Sequence, residues 1–182
     1  MHHGNNSKKG GIMINITEVL GTDAQITGAE KNQICFVCTG NTCRSPMAAA
    51  LFNHFNSDAN RIAVSAGIAA YDSPISKNAR TALTNRGIAS MQNNDFDNHR
   101  ARRISEKIIA ASSQVIAMTI NHSLTLISMY PEYASKIFTM PQSISDPYGL
   151  SLQVYEKCLA EIESCLQILF DFPAAESKGG TE

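Results

Sequence analysis

The sequence predicts an α/β fold: three α/β/α layers around a four-stranded parallel sheet. Three observations carry that expectation. Short apolar runs at 34–37, 61–65, 115–118 and 136–140 have the length of buried strands. Stretches with helix start and stop signals alternate with them. No tight hairpin signal joins one run to the next, so the strands run parallel and are covered on both faces.

Taken in order, residues 1–11 are mostly Gly, Asn, Lys and His without apolar periodicity, and residues 1–32 are expected to be a flexible N-terminal extension. The domain is expected over 33–175, followed by a flexible tail at 176–182. Ile34-Cys35-Phe36-Val37 is the first strand. A helix over 46–55 follows, with Ser45 as N-cap and Pro46 at the first helical position, where its missing N–H costs nothing. The second strand starts at Arg61. Ser76 caps a helix through Ala79, Ala82 and Leu83 that stops at Gly87. Ser105 caps a short helix containing Ile108 and Ile109. The third strand is Val115-Ile116-Ala117-Met118, and the helix over 120–130 is ended by Pro131. A fourth strand at 136–140 leads to a closing helix over 152–170. Its apolar positions Val154, Cys158, Leu159, Ile162, Cys165, Leu166 and Leu169 fall on one face.

Composition narrows the function classes. Of 182 residues, 43% are hydrophobic and 17% charged, with a net charge of −1. Such a balance gives no global attraction for nucleic acid or anionic lipid, so an anion site must be local. No apolar run approaches the ~20 residues of a spanning helix, and none forms a signal-peptide core. Five cysteines are an odd number and argue against a secreted disulfide framework. A cytoplasmic protein without nucleic-acid or membrane partners is expected.

In parallel sheets ligands bind beyond the carboxyl ends of the strands, which points to Cys38-Thr39-Gly40-Asn41-Thr42-Cys43-Arg44-Ser45. A cysteine and an arginine at this spacing, between strand and helix, can curl into a cradle of backbone N–H groups for phosphate. Gly40 is expected to relieve the curvature, and Asn41 tolerates a left-handed backbone. Arg44 offers a planar fork to two phosphate oxygens. The helix end favours the thiolate form of Cys38, and Ser45 can hydrogen-bond to it. An acid is needed for the leaving group, and Asp146, in Asp146-Pro147-Tyr148-Gly149, is the candidate on the same rim. An Asp-Pro pair is equally a plain turn signal.

Over roughly 33–172 the chain resembles the low-molecular-weight protein tyrosine phosphatase family, whose protein-arginine-phosphatase branch shares the loop. The resemblance rests on the stretch 38–46 and on Asp146-Pro147, and it implies a flavodoxin-like frame. It also implies Cys38 as nucleophile through a phosphocysteine intermediate, Arg44 as transition-state clamp, and Asp146 as general acid and then base. Ser65 and His99 would support Asn41 in the loop, and Tyr71 and Tyr148 would wall the substrate pocket. The implied substrate is a phosphorylated protein or peptide, hydrolysed with no metal or other cofactor. Phosphotyrosine is the favoured substrate. Thr42, where many tyrosine phosphatases have Ile or Leu, keeps phosphoarginine open as the alternative.

Other readings are weaker. Cys35-x2-Cys38 has the spacing of a redox pair, but Cys35 lies inside a strand. A zinc site lacks a fourth ligand. An arsenate reductase on the same fold would need further relay cysteines, and none occurs between Arg44 and Lys157. A phosphate-binding adaptor would leave Cys38 and Asp146 without a task. Cys43 either traps an oxidised Cys38 as a disulfide or packs beneath the loop. Arg100, Arg102 and Arg103 either form a solvated face or meet an acidic partner.

Overall fold

The computed structural model describes Met1 and residues 32–172. The expected extension, apart from its end residues, and the expected tail at 176–182 lie outside them. The elements are β1 (Asn32–Cys38), α1 (Arg44–Phe55), β2 (Arg61–Gly67), α2 (Lys77–Asn85), α3 (Glu106–Ala111), β3 (Ser112–Ala117), α4 (Ile120–Met129), a 3-10 helix (Pro131–Lys136), β4 (Ile137–Thr139) and α5 (Leu152–Phe170). The strands pair in parallel in the order β2-β1-β3-β4, so the expected four-stranded parallel sheet is present. Among the described residues no helix is long and apolar enough to cross a membrane.

Alternation along β1 divides the core. Ile34, Phe36 and Cys38 point into one apolar cluster shared with α1, α2 and α5. Cys35 and Val37 point into the other, with Ile109 of α3, Leu126 of α4 and Val115 and Ala117 of β3. Side chains on a strand alternate between faces, so a continuous apolar run is the mark of a strand covered twice. Burial pushes the Cys35 thiol up to about 12, offset only slightly by Arg102, so it packs as a small hydrophobe.

Four local expectations need correction. Helix α1 begins at Arg44, with Cys43 in the N-cap position and no side-chain cap bond. Ser45 is therefore helical, and its hydroxyl turns inward because buried polar partners lie there. Ser105 occupies the N-cap of α3 but makes no side-chain cap bond. Strand β4 is shorter than expected because Lys136 closes the 3-10 helix, its Nζ donating to the carbonyls of Ala110 and Ser112. The buried face of α5 includes Tyr155 and Glu163, while Val154 and Leu169 are exposed. Glu163 is accommodated because Arg86 donates to both of its oxygens, at 2.9 and 2.6 Å. Ser76 does cap α2, accepting from the Ala79 N–H. Gly87, at φ +84°, ends that helix, with the N–H of Ile88 donating to Leu83 and its own to Thr84.

Strand β2 ends where backbone space is tightest. Gly67 lies in register with Cys38. A Cβ on Gly67 would meet the Thr39 carbonyl oxygen at 2.6 Å and the Asn41 nitrogen at 2.9 Å, both backbone atoms of the loop after β1. Gly40 has no such constraint: an added Cβ meets nothing nearer than the Thr42 hydroxyl at 3.7 Å, and its φ is not positive. The expectation that Gly40 relieves the loop's curvature is therefore corrected. Asn41 takes the left-handed position (φ 55°), and Gly67 gives the loop room. Gly67→Ala should lower stability by roughly 1–3 kcal/mol through overpacking, whereas Gly40→Ala should shift it by no more than about 0.5 kcal/mol. Urea midpoints of the two variants check this, and equal midpoints would remove the close-approach explanation.

Candidate active site

The loop 38–45 closes around Asn41. Its side chain is fully buried, and every polar atom of its carboxamide is used. Nδ2 donates to the hydroxyls of Ser45 and Ser65, each at 2.9 Å, and Oδ1 accepts from the Arg102 N–H at 2.9 Å. Because Arg102 N–H can only donate, the carboxamide orientation follows. His99 Nε2 donates to the Asn41 carbonyl at 2.8 Å, and Arg102 Nε donates to the Ser65 carbonyl at 3.0 Å. β1, β2, α1 and the segment before α3 are thus pinned to one residue. Burial, then the nearby Arg102 charge, hold His99 below its ordinary value, while its bond to the Asn41 carbonyl pulls the other way.

That brace sets the surroundings of Cys38. The Asn41 N–H points at Cys38 Sγ at 3.2 Å, and Ser45 Oγ lies 3.1 Å from it. Ser45 also reaches the Ala66 carbonyl at 3.2 Å. Cys43 turns the other way, to Ser76 Oγ at 3.4 Å and Tyr155 Oη at 3.3 Å. All the cysteines at 35, 38, 43, 158 and 165 are free and buried.

Arg44, at the start of α1, is buried beneath the rim. Nη1 donates to the Ile144 carbonyl at 3.2 Å and Nη2 to Asp146 Oδ2 at 2.5 Å. Nε is buried with no partner among the described residues. The loop after β4 folds back over the end of β3, with the Ile144 N–H donating to the Met118 carbonyl at 3.0 Å. That return brings Asp146 to Arg44. Asp146 is 49% exposed, and its Oδ1 accepts from the Tyr148 N–H at 3.2 Å. A cavity of about 280 Å³ is lined by Cys38, Arg44, Thr42, Tyr71, Asp146 and Tyr148, among others. Tyr71 and Tyr148 stand at its mouth, 83% and 70% exposed.

The structure therefore brings Cys38, Arg44 and Asp146 to one cavity, with Ser65 and His99 behind Asn41. Arg102 is more than a solvated charge, since its N–H and Nε brace the loop, while Arg100 pairs with Asp72. Sequence reasoning missed His122, whose Nε2 is 2.8 Å from Thr39 Oγ1 and whose Nδ1 is 2.8 Å from Thr119 Oγ1. Its position in the first turn after β3, on the carboxyl rim, was the available signal. Burial and the Arg44 charge lower His122, against a smaller opposite effect from Asp146.

A family model described as "Low molecular weight phosphotyrosine protein phosphatase" matches residues 33–178. A protein-arginine-phosphatase of Geobacillus stearothermophilus is 33% identical over 144 residues, covering 75% of this chain and 93% of that protein. The low molecular weight protein-tyrosine-phosphatase Wzb of Salmonella typhi is 31% identical over 137 residues, covering 72% of this chain and 87% of that protein. The solved low molecular weight protein tyrosine phosphatase from T. tengcongensis superposes with a TM-score of 0.69 at 38% identity. That match covers 76% of this chain and 97% of the other.

The two histidines make stability sensitive to mild acid. Both titrate below the ordinary 6.5 in the folded chain, so the unfolded chain binds protons first as pH falls. Their contribution is complete above about pH 6.5 and is lost as pH drops through the folded values. Asp72 and Asp95, also lowered, act only near and below their ordinary 3.8. The thermal midpoint should fall between pH 7.5 and 5, and His99→Gln should flatten the slope. Parallel slopes for wild type and variant would remove His99 from the account.

Proposed function

Because the chain belongs to the low molecular weight phosphotyrosine protein phosphatase family and is a phosphatase, we propose that it hydrolyses phosphotyrosine in proteins through a phosphocysteine intermediate formed on Cys38. The observation that carries the reading is the convergence of Cys38 Sγ, the buried Arg44 guanidinium and Asp146 on one cavity. In this reading Cys38 Sγ attacks phosphorus, the S–P bond forms and the P–O bond to the tyrosine breaks. Asp146 gives its proton to the departing oxygen. Water then attacks phosphorus, Asp146 takes a proton back, and the S–P bond breaks to release phosphate.

Each group has a physical reason for its part. The Asn41 N–H aims a donor at the attacking sulfur from 3.2 Å, and the Ser45 oxygen lies 3.1 Å from it. Arg44 is held buried by the Ile144 carbonyl, and its Nε, without a partner among the described residues, is a donor left for a phosphate oxygen. Asp146 is exposed enough to exchange protons with water and tied enough by the Tyr148 N–H to hold one direction.

Two rings at the cavity mouth, Tyr71 and Tyr148, favour a flat aromatic leaving group. Stacking is worth about 0.5–1.5 kcal/mol beyond burial. A second reading, phosphoarginine, is favoured by a different observation. Thr42 lines the same cavity with a hydroxyl rather than bulk, and the relative from Geobacillus stearothermophilus is named for arginine.

Cys38→Ser should abolish turnover while phosphate still binds, and Arg44→Ala should lose both. Asp146→Asn should cost about 10²–10⁴ in rate on phosphotyrosine peptides. Unchanged turnover in that variant, measured by phosphate release, would remove Asp146 as the acid. Substrate preference is read at matched peptide sequence. Faster hydrolysis of phosphotyrosine is expected, with KM raised in Tyr71→Ala and Tyr148→Ala. Faster phosphoarginine hydrolysis that collapses in Thr42→Ile would replace the first reading with the second.

A further inference from the structure

Asp146 sits on an exposed loop that Arg44 and the Met118 carbonyl hold at Ile144 and Asn78 holds at Leu150, and α5 packs beneath it between those points. Tyr155, buried on the first turns of that helix, places its hydroxyl 3.3 Å from Cys43 Sγ. Tyr155 lines one cavity with Ser76, Tyr148, Gly149 and Leu150. Three residues on, and so on the same helix face, Cys158 Sγ donates to the Ser145 carbonyl at 3.8 Å. Ser145, which Cys158 tethers, and Gly149, which faces Tyr155 across the cavity, flank Asp146 in the chain. Between them the turn is closed by the Leu150 N–H on the Pro147 carbonyl at 3.0 Å and the Tyr148 N–H on Asp146 Oδ1 at 3.2 Å. Ser76 in turn donates its backbone N–H to the Thr42 carbonyl at 2.9 Å. The phenol is therefore bonded to the loop of Cys38 and stands between the start of α2 and the loop of Asp146.

We propose that Tyr155 and Cys158 are positioning residues for Asp146, holding the span between its carboxyl group and the Cys38 loop at the reach that proton transfer requires. The inference rests on the reading of Asp146 as the general acid. A proton donor works within about 2.6–3.2 Å of the atom it serves, and a displacement of about 1 Å can cost 10²-fold. Gly149, at φ +78°, has no steric neighbour for a Cβ within 4 Å, so the turn is open at that position. Burial pushes the Tyr155 phenol up to about 12, which keeps it a neutral hydrogen-bonding group across the working pH range. A tyrosine that merely filled space would leave the chemistry of the leaving group untouched, whereas a positioning residue affects only steps in which the acid takes part.

The test is kcat/KM across aryl phosphates, from phenyl phosphate, a poor leaving group, to 2,4-dinitrophenyl phosphate, a good one. Tyr155→Phe is expected to lose about tenfold on phenyl phosphate and about twofold or less on dinitrophenyl phosphate. Competitive inhibition by inorganic phosphate should stay within about twofold of wild type, since Arg44 and the N–H cradle are intact. Cys158→Ala, which removes the other tether and keeps the phenol, should show the same trend and carries the test if Tyr155→Phe fails to fold. Equal losses across the series, or none in either variant, overturn the proposal. Asp146→Asn is run beside them. A steep dependence there with flat positioning variants sinks only the inference, and a flat Asp146→Asn profile sinks the acid assignment and the inference with it.

Discussion

The site depends on the buried carboxamide of Asn41. A residue at φ 55° with no solvent contact is expensive unless its polar atoms are all matched. Here two serine hydroxyls, one backbone N–H and one histidine use every polar atom of its carboxamide and its carbonyl. A fully satisfied network in a low-dielectric interior is rigid, and a partly satisfied one is worse than none. The curvature of the loop, and with it the N–H aimed at Cys38, follows from that closure. Glycine in its place would take the same φ yet could not tie four segments together.

The sheet supplies the rest of the frame. β1 lies between two neighbours, so its carboxyl end opens onto loops from both sides. Gly67 at the end of β2 lets the Thr39 and Asn41 backbone pass close by. From the other side, Met118 and Thr119 follow β3, receive the returning loop after β4, and set His122 against Thr39. Arg44 is held where these two flanks meet, which explains why a guanidinium can be buried there with a carbonyl and a carboxylate as partners.

The two faces of the domain do different work. α3 and α4 cover an apolar face of packed side chains, and His122 at the start of α4 carries a polar contact from that side to the loop. The face under α1, α2 and α5 carries polar groups that report on the loop, among them Cys43, Ser76 and Tyr155. Aromatic packing among Phe36, Phe52 and Phe170 anchors that second face at its far end. The site-bearing end is thus free to be polar without loss of the core.

By itself the sequence determined the order of strands and helices, the capping of α2 by Ser76, the Gly87 stop, and the placing of Cys38 and Arg44 on the loop after the first strand. These are local matters of periodicity, caps and turn residues, decided within a few positions. The Asp146-Pro147 pair was legible only as a turn until the family resemblance gave it a role. Only the tertiary structure decided that α1 starts at Arg44 and not after Ser45, that Tyr155 and Glu163 are buried while Val154 and Leu169 are not, and that Arg102 and His122 join the loop. The reason is the same in each case. Whether a polar group turns inward depends on partners far along the chain, 61 residues away for Arg102 and Asn41 and 112 for Tyr155 and Cys43, and no local pattern encodes a partner brought by the fold.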